Sequence, residues 1–349
     1  MQKNELRKVY LEITEQCNLN CTTCFRQNWT VAPDSMSYEL IQLIAENLCD
    51  LPEVKEIIFG GIGEPTSHNQ FLLFAELFKN YSLTLTTNAC KWSDEIIEGI
   101  IEYFDSIVVS VDGLDDTFNE IRGFPLNILE NNMKRLRQFM FKKKKARPLI
   151  NAQLVLSTAN LKEVEALIPR LHNMGFQSFS ISHLIPQENA SKETILYTLD
   201  NNPMMKDYYN KWLRKCLLYQ IQLITVNTYL KSERRCNFTE DGTIFIGAKG
   251  DISPCYRFAH SGTEYIFGRK KEIFAVSYGN INNLSLHQIW ESKAYQDLRK
   301  QNYCNRYPSC PDCDFVEHCD YVLNTLCDCR GNTPSCADCL WARGFVKCI

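Results

Sequence analysis

A chain of 349 residues that is 45% hydrophobic has the material for a sizeable core and for more than one domain. Its formal net charge of -3, from 38 basic and 41 acidic side chains, leaves no electrostatic footprint for nucleic acid. No stretch approaches the ~18 apolar residues of a membrane span, and no apolar run follows Met1-Gln2-Lys3-Asn4-Glu5, so the expected setting is the cytoplasm, without a membrane partner.

In that setting 17 cysteines favour metal ligation over disulfides, and 11 of them lie from Cys236 onward. The first strand candidate, Val9 to Thr14, runs directly into Cys17, Cys21 and Cys24, spaced Cys-x3-Cys-x2-Cys. A structural tetrahedral site takes four protein ligands, so three leave a coordination position open. On a four-iron, four-sulfur cluster, three thiolates leave one iron free. The spacing alone also fits half a zinc site, buried thiols or part of a disulfide framework.

Helical periodicity over Tyr38 to Leu48 precedes a strand at Glu56 to Phe59 that ends in Gly60-Gly61-Ile62-Gly63-Glu64-Pro65. Glycines there permit close backbone approach, although most such turns are only tight connections. A helix at Gln70 to Phe78 leads to a strand at Leu83 to Thr87, closed by Asn88. A helix at Ser93 to Ile101 leads to a strand at Ile107 to Val111, closed by Asp112-Gly113, with Arg122-Gly123 downstream. The helix Leu126 to Phe141 ends in the basic run Lys142 to Lys145 and Arg147, which reads as a solvated last turn favoured by the helix dipole.

A strand at Asn151 to Leu156, a helix at Leu161 to Met174 and a strand at Phe179 to Leu184 complete six strands alternating with helices. That is an α/β pattern, a parallel sheet with right-handed crossovers, open or curled into part of a barrel. Ligands of such folds gather at the C-terminal strand ends, where the three cysteines fall. Asn189 to Glu193 reads as a loop, Asp200 to Gln220 as helical and Ile221 to Val226 as one more strand closing the core. Cys49, Cys90 and Cys216 stand alone and read as buried thiols; His68, His183 and His260 read as structural. Residues 1–215 are assigned to one domain, 216–230 to a connecting segment and 231–349 to a second domain, which opens with Cys236 and a hairpin at Thr243 to Ile246.

The ordered set Cys17, Cys21 and Cys24, then Gly63-Glu64-Pro65, then Thr86-Thr87-Asn88, then Ser110-Val111-Asp112-Gly113 with Arg122-Gly123, resembles the radical S-adenosylmethionine (SAM) superfamily. The resemblance implies a partial (β/α)6 TIM-type barrel. In it Cys17, Cys21 and Cys24 hold a catalytic 4Fe-4S cluster whose fourth iron is chelated by SAM. It also implies SAM contacts from Gly61, Gly63, Glu64, Pro65, Asn88, Ser110, Asp112 and Arg122. Two departures are visible: Ala89 replaces a glycine, and Thr23 stands where an aromatic residue touches the adenine, a surface that Phe25 would then supply.

Cys236-x13-Gly250-x4-Cys255 and Cys310-x2-Cys313-x5-Cys319 resemble the SPASM extension of enzymes that modify peptides and proteins. This implies one or two auxiliary 4Fe-4S clusters drawn from Cys236, Cys255, Cys310, Cys313, Cys319, Cys327, Cys329, Cys336, Cys339 and Cys348. Leu323 occupies the place of a further family cysteine, so from Cys304 onward the division among clusters stays open, and the two Cys-x2-Cys pairs also fit a zinc-ribbon tail. A fully ligated auxiliary cluster moves electrons, whereas one with an open iron anchors substrate.

The ending Asn332 to Gly344 is similar to maturases associated with tungsten-cofactor aldehyde oxidoreductases. The implied activity is anaerobic reductive cleavage of SAM to a 5'-deoxyadenosyl radical. Its substrate would be a protein, peptide or cofactor, its partner a tungsten-containing aldehyde oxidoreductase, and its electron donor a ferredoxin or flavodoxin. Tyr256 stands where sulfatase maturases place a carboxylate base, which disfavours that chemistry. The alternatives are a maturase of a ribosomally made peptide and a non-catalytic iron-sulfur or zinc protein.

Overall fold

The computed structural model describes residues 5–28 and 32–347, so Cys348 lies outside the described residues. From β1 (Lys8–Leu11) the chain passes through the cysteine segment to α1 (Tyr38–Cys49), β2 (Glu56–Phe59), α2 (Phe71–Leu77), β3 (Ser82–Thr87), α3 (Asp94–Tyr103), β4 (Ser106–Ser110), α4 (Asp115–Arg122) and α5 (Leu126–Lys143). It continues through β5 (Leu149–Leu156), α6 (Val164–Met174), β6 (Ser178–His183), α7 (Pro203–Leu218) and β7 (Gln222–Ile224). These seven strands are parallel and lie in the order β7-β6-β5-β4-β3-β2-β1. Each strand neighbours its predecessor with no reversal of order, which is the winding of a barrel wall rather than of a doubly wound sheet.

Local chemistry explains the elements. The Ser37 and Ser93 side chains accept from Leu40 N and Ile96 N and cap α1 and α3. Behind the caps, Leu40, Ile41, Ile44 and Leu48 on α1, and Ile97, Ile100 and Ile101 on α3, form the buried faces. Phe59 meets Phe71, Phe78 and Phe104 edge-on in the core, each such ring contributing about 1.5–3 kcal/mol by burial. The basic run is solvated as expected, with Lys143 on Glu98 and Lys145 on Glu102 at 2.9 and 3.3 Å, and Arg147 on Asp105.

The structure departs from the sequence reading at several places. α4 went unseen because only Phe118 and Ile121 of its eight residues are buried, too few for a periodic signal. Residues Asn189–Thr194 form a 3-10 turn rather than a loop, and β7 extends one sheet edge. Of the three lone cysteines only Cys216 is buried; Cys49 is exposed at the end of α1, where its thiol faces Ala45 O.

The second half comprises α8 (Asn237–Glu240), β8 (Thr243–Ile246), β9 (Ile252–Ser253), β10 (Gly262–Ile266), β11 (Arg269–Ile273), α9 (Leu286–Trp290) and α10 (Lys293–Tyr303). β8 and β9 pair antiparallel as the expected hairpin, yet β8 also pairs in parallel with β1 and extends the main sheet. All four β8 residues are buried, the two-faced burial typical of a strand inside a parallel sheet. Among the described residues no helix is long and apolar enough to cross a membrane.

Candidate functional site

The C-terminal ends of the strands open into a cavity of about 310 Å³, lined on one side by Cys17, Cys21 and Cys24. The cysteine segment is held against the loop after β2: Glu64 N donates to Gln16 O at 2.8 Å, and a Cβ on Gly63 would lie 2.0 Å from Thr14 O. Only glycine permits that approach. Each of two sulfurs receives side-chain donors, Cys17 Sγ from Asn88 Nδ2 at 3.8 Å and Cys21 Sγ from Arg122 Nη1 at 3.7 Å. Burial pushes the Cys17 thiol up to about 11 and raises Cys24 as well. A cationic centre reverses that penalty, because ligation takes the thiolate.

Three sulfurs with amide and guanidinium donors around one cavity suit an iron-sulfur cluster. Among the described residues, the only three ligating side chains whose ligand atoms all lie within 4.8 Å of one another are Glu12, Glu15 and His260. The cysteines are thus more open than one zinc ion, at about 2.3 Å from each sulfur, draws them.

Most expected SAM contacts line the cavity: Phe25, Gly61, Gly63, Glu64, Asn88, Ser110 and Arg122. Asp112 and Pro65 stand behind it. Asp112 is wholly buried, accepts Val155 N at 2.7 Å and pairs with Arg122 Nη2 at 2.5 Å, so it orients the arginine. Burial works against the Arg122 charge, but Asp112 and Cys21 outweigh it and hold the guanidinium above its ordinary pKa. Pro65 opens a 3-10 turn whose cap is Glu64.

Glu64 Oε1 accepts Thr66 N, Thr66 Oγ1 and Thr87 Oγ1, and Oε2 accepts Asn88 N at 2.7 Å. Of about four lone-pair sites on a carboxylate, one on Oε2 remains for a ligand N–H. Burial nevertheless raises its pKa, with the four hydrogen bonds opposing. Phe25 stacks on Trp341 at 6.3 Å, so its ring does face an apolar wall at the cavity.

The opposite wall comes from the second half, and the sequence reading assigned none of its residues to the site. Tyr256 and Tyr10 share a hydroxyl hydrogen bond of 2.8 Å, so Tyr256 packs against β1. His260 Nε2 lies 2.6 Å from Glu12 Oε2, and Arg257 and Glu264 complete this face. His260 is therefore a cavity residue rather than a purely structural one. Glu12, a lone carboxylate in the apolar run Val9 to Ile13 and wholly buried, was the available signal. His68 is structural as expected, its Nε2 3.0 Å from Met36 O, and His183 is buried at the end of β6. Cys236 caps α8, Cys255 precedes a 3-10 turn at Tyr256–Phe258, and Cys310, Cys313, Cys319, Cys327, Cys329, Cys336 and Cys339 lie in the turns after α10.

The Radical SAM superfamily model matches residues 11–199, and the SPASM iron-sulfur cluster-binding domain model matches residues 236–314. The chain is 36% identical to the tungsten-containing aldehyde ferredoxin oxidoreductase cofactor-modifying protein of Pyrococcus furiosus, over 98% of this chain and 97% of that one. It is 22% identical to the sporulation killing factor maturation protein SkfB of Bacillus subtilis, over 70% and 59% of the two chains. In fold it matches Streptococcus suis SuiB bound to S-adenosylmethionine with a TM-score of 0.64 at 16% identity, covering 91% of this chain and 73% of that one.

Proposed function

The chain belongs to the Radical SAM superfamily and carries an iron-sulfur cluster-binding SPASM domain, and from that premise we propose that it matures a tungsten-containing aldehyde oxidoreductase by modifying its cofactor. The observation that carries this reading is the end-to-end likeness to the Pyrococcus cofactor-modifying protein. The chain is a radical SAM enzyme. When bound, the cluster and SAM supply a 5'-deoxyadenosyl radical that takes a hydrogen atom from the substrate.

In this reading Cys17, Cys21 and Cys24 would hold the cluster, while Asn88 and Arg122 donate to the Cys17 and Cys21 thiol sulfurs. The remaining Glu64 lone pair would accept the SAM amino group, with Ser110 and Gly63 lining the same cavity and Phe25 offering an apolar surface for the adenine. The second half covers the strand ends and excludes water. Residues 1–215 act as the radical core, 216–230 as connector and 231–349 as the auxiliary-cluster part. The electron donor is a low-potential ferredoxin or flavodoxin, and the setting is the anaerobic cytoplasm.

Two experiments test the reading. Reconstituted protein with SAM and dithionite forms 5'-deoxyadenosine, and a Cys17→Ala, Cys21→Ala, Cys24→Ala variant does not. Co-expression with a tungsten oxidoreductase changes the mass of the cofactor extracted from it, and an unchanged mass would remove the tungsten assignment. The likeness to SkfB favours a second reading, a peptide maturase; a short precursor-peptide gene beside this one, in place of a large oxidoreductase gene, would favour it.

A further inference from the structure

We infer that two apolar surfaces of opposite charge dock on each other between copies of this chain, the outer face of α7 in one copy against the turns at 312–326 of another, a contact independent of the proposed function.

α7 buries Met205, Trp212 and Cys216 in the main core, the ordinary inner face of an amphipathic helix. Its outer face is not the ordinary polar one. Leu213, Leu217 and Leu218 are 46%, 68% and 74% exposed. Leu213 lies one turn from Leu217 and Arg214 one turn from Leu218, so the three leucines and the arginine form one patch. Residues Pro203–Leu218 hold Lys206, Lys211, Arg214 and Lys215 against a single acid, Asp207, in a chain whose net charge is -3. Cations on the neighbouring helices are neutralised: on α5 Lys143 pairs with Glu98, and on α6 Arg170 pairs with Asp115 and Glu130. Among the described residues the four α7 cations have no ion-pair partner, and Lys211 and Lys215 have only the rings of Tyr208 and Tyr219 beneath them, at 5.8 and 5.9 Å.

The second surface has the opposite charge. Residues 307–329 contain no Lys or Arg. Asp312, Asp314, Glu317 and Asp320 are exposed there. Of these only Glu317 has an ion pair among the described residues, with Arg269 at 3.4 Å. Interleaved with the acids, Phe315 is 78% exposed, Leu323 54% and Leu326 53%. The turns are firmly backed, since Glu272 N donates to Leu323 O at 2.8 Å and Thr325 N to Glu272 O at 3.1 Å, stitching them to β11.

Exposed apolar side chains scattered singly need no explanation, but grouped and rimmed by charge they mark interaction sites. A basic leucine face calls for an acidic partner with an apolar centre, and the acidic turns call for the reverse. A second copy supplies both at once, whereas anionic lipid would satisfy α7 and leave the turns unmatched. The contact joins two different surfaces, so it closes as a dimer where a two-fold axis makes it twice and otherwise runs head to tail. In either arrangement α7 of one copy shields the exposed Cys313 and the segment that bears Cys319.

The test uses the reconstituted full-length protein under anaerobic conditions, read by sedimentation velocity over a range of concentration and salt. Wild type should sediment at twice the monomer mass or more at low salt and dissociate at about 1 M salt, where exposed charges are screened beyond ~3 Å. Lys211→Glu, Arg214→Glu and Asp314→Lys, Glu317→Lys are the two charge reversals. Each alone should self-associate about tenfold more weakly, because like charges then face each other. An equimolar mixture should recover association, since it gives each acidic surface a basic one.

Should a reversal fail to fold, Leu217→Asp, Leu218→Asp decides, because both side chains already face solvent. It should abolish self-association while iron content and 5'-deoxyadenosine formation stay at wild-type levels. A wild type that is monomeric at every concentration, unchanged association in either reversal or a mixture that stays monomeric overturns the proposed contact. So does binding of wild type to vesicles of phosphatidylserine and phosphatidylcholine that Lys211→Glu, Arg214→Glu abolishes, which would assign α7 to lipid. None of these readings needs a substrate, so failure of the tungsten assignment leaves them standing.

Discussion

Arg122 joins the cysteine segment to the barrel: one nitrogen donates to Cys21 Sγ while another pairs with Asp112. Because Asp112 is wholly buried, Asp112→Asn leaves the guanidinium with its charge unbalanced. Losing one partner of a buried pair costs about 3–5 kcal/mol. Chemical denaturation should register that loss, and 5'-deoxyadenosine formation should fall with it. A change below about 1 kcal/mol would mean that water reaches Arg122. His183 makes a separate demand. Burial lowers its pKa from the ordinary 6.5 to about 4, with a backbone contact at Asn227 opposing. The unfolded chain takes up a proton below pH 6.5 and the folded chain only near 4. The stability this group contributes is therefore present above 6.5 and lost as the pH falls through 4. The loss is on the order of 3 kcal/mol. His183→Phe keeps the contact with Tyr197 and should flatten the stability profile over that window; an unchanged slope would assign the acid loss to other groups.

At the level of elements, glycine and alanine positions show why the strand-end turns carry the site. Gly63→Ala drives a Cβ to 2.0 Å from Thr14 O, which is backbone and has no room to swing aside. The turn after β2 must then separate from the cysteine segment. The expected result is loss of about 4 iron per chain, and ~1–3 kcal/mol of stability. Gly123→Ala is the control. Its Cβ meets nothing within 4 Å, but φ is +78°, so it should cost about 1–2 kcal/mol and keep its iron. Equal iron in both would detach the turn from the cluster. Ala89 has φ +52°, so the family glycine it replaces answers to backbone conformation. These turns were legible because Gly63, Glu64 and Asn88 sit at fixed places after apolar strands. α4 was not, since two buried side chains carry no period. Glu12 and His260 were not either, because residues 248 apart meet only through folding.

For the molecule as a whole, the proposed division into residues 1–215, 216–230 and 231–349 does not coincide with a division of the core. Ile244, Ile246, Ile252, Ile281, Leu286, Ile289, Trp290, Tyr295 and Leu298 belong to the same apolar cluster as β1 and α1. At ~1.5–3 kcal/mol for each buried side chain, this group rivals the roughly 5–15 kcal/mol net stability of a whole domain. Removing it also strips β8 from β1 and exposes a parallel strand edge prone to association. A chain ending at residue 230 should therefore be aggregated or molten, with weak near-ultraviolet dichroism and bound hydrophobic dye. A chain ending at residue 303 retains β8, β9 and α10 and should unfold cooperatively while lacking the cysteines from Cys304 onward. Soluble, cooperative folding of the shorter chain would show that β8 is an accessory to the barrel wall; its failure beside a folded longer chain would show that the second half supplies part of the barrel's own core as well as the cover of the cavity.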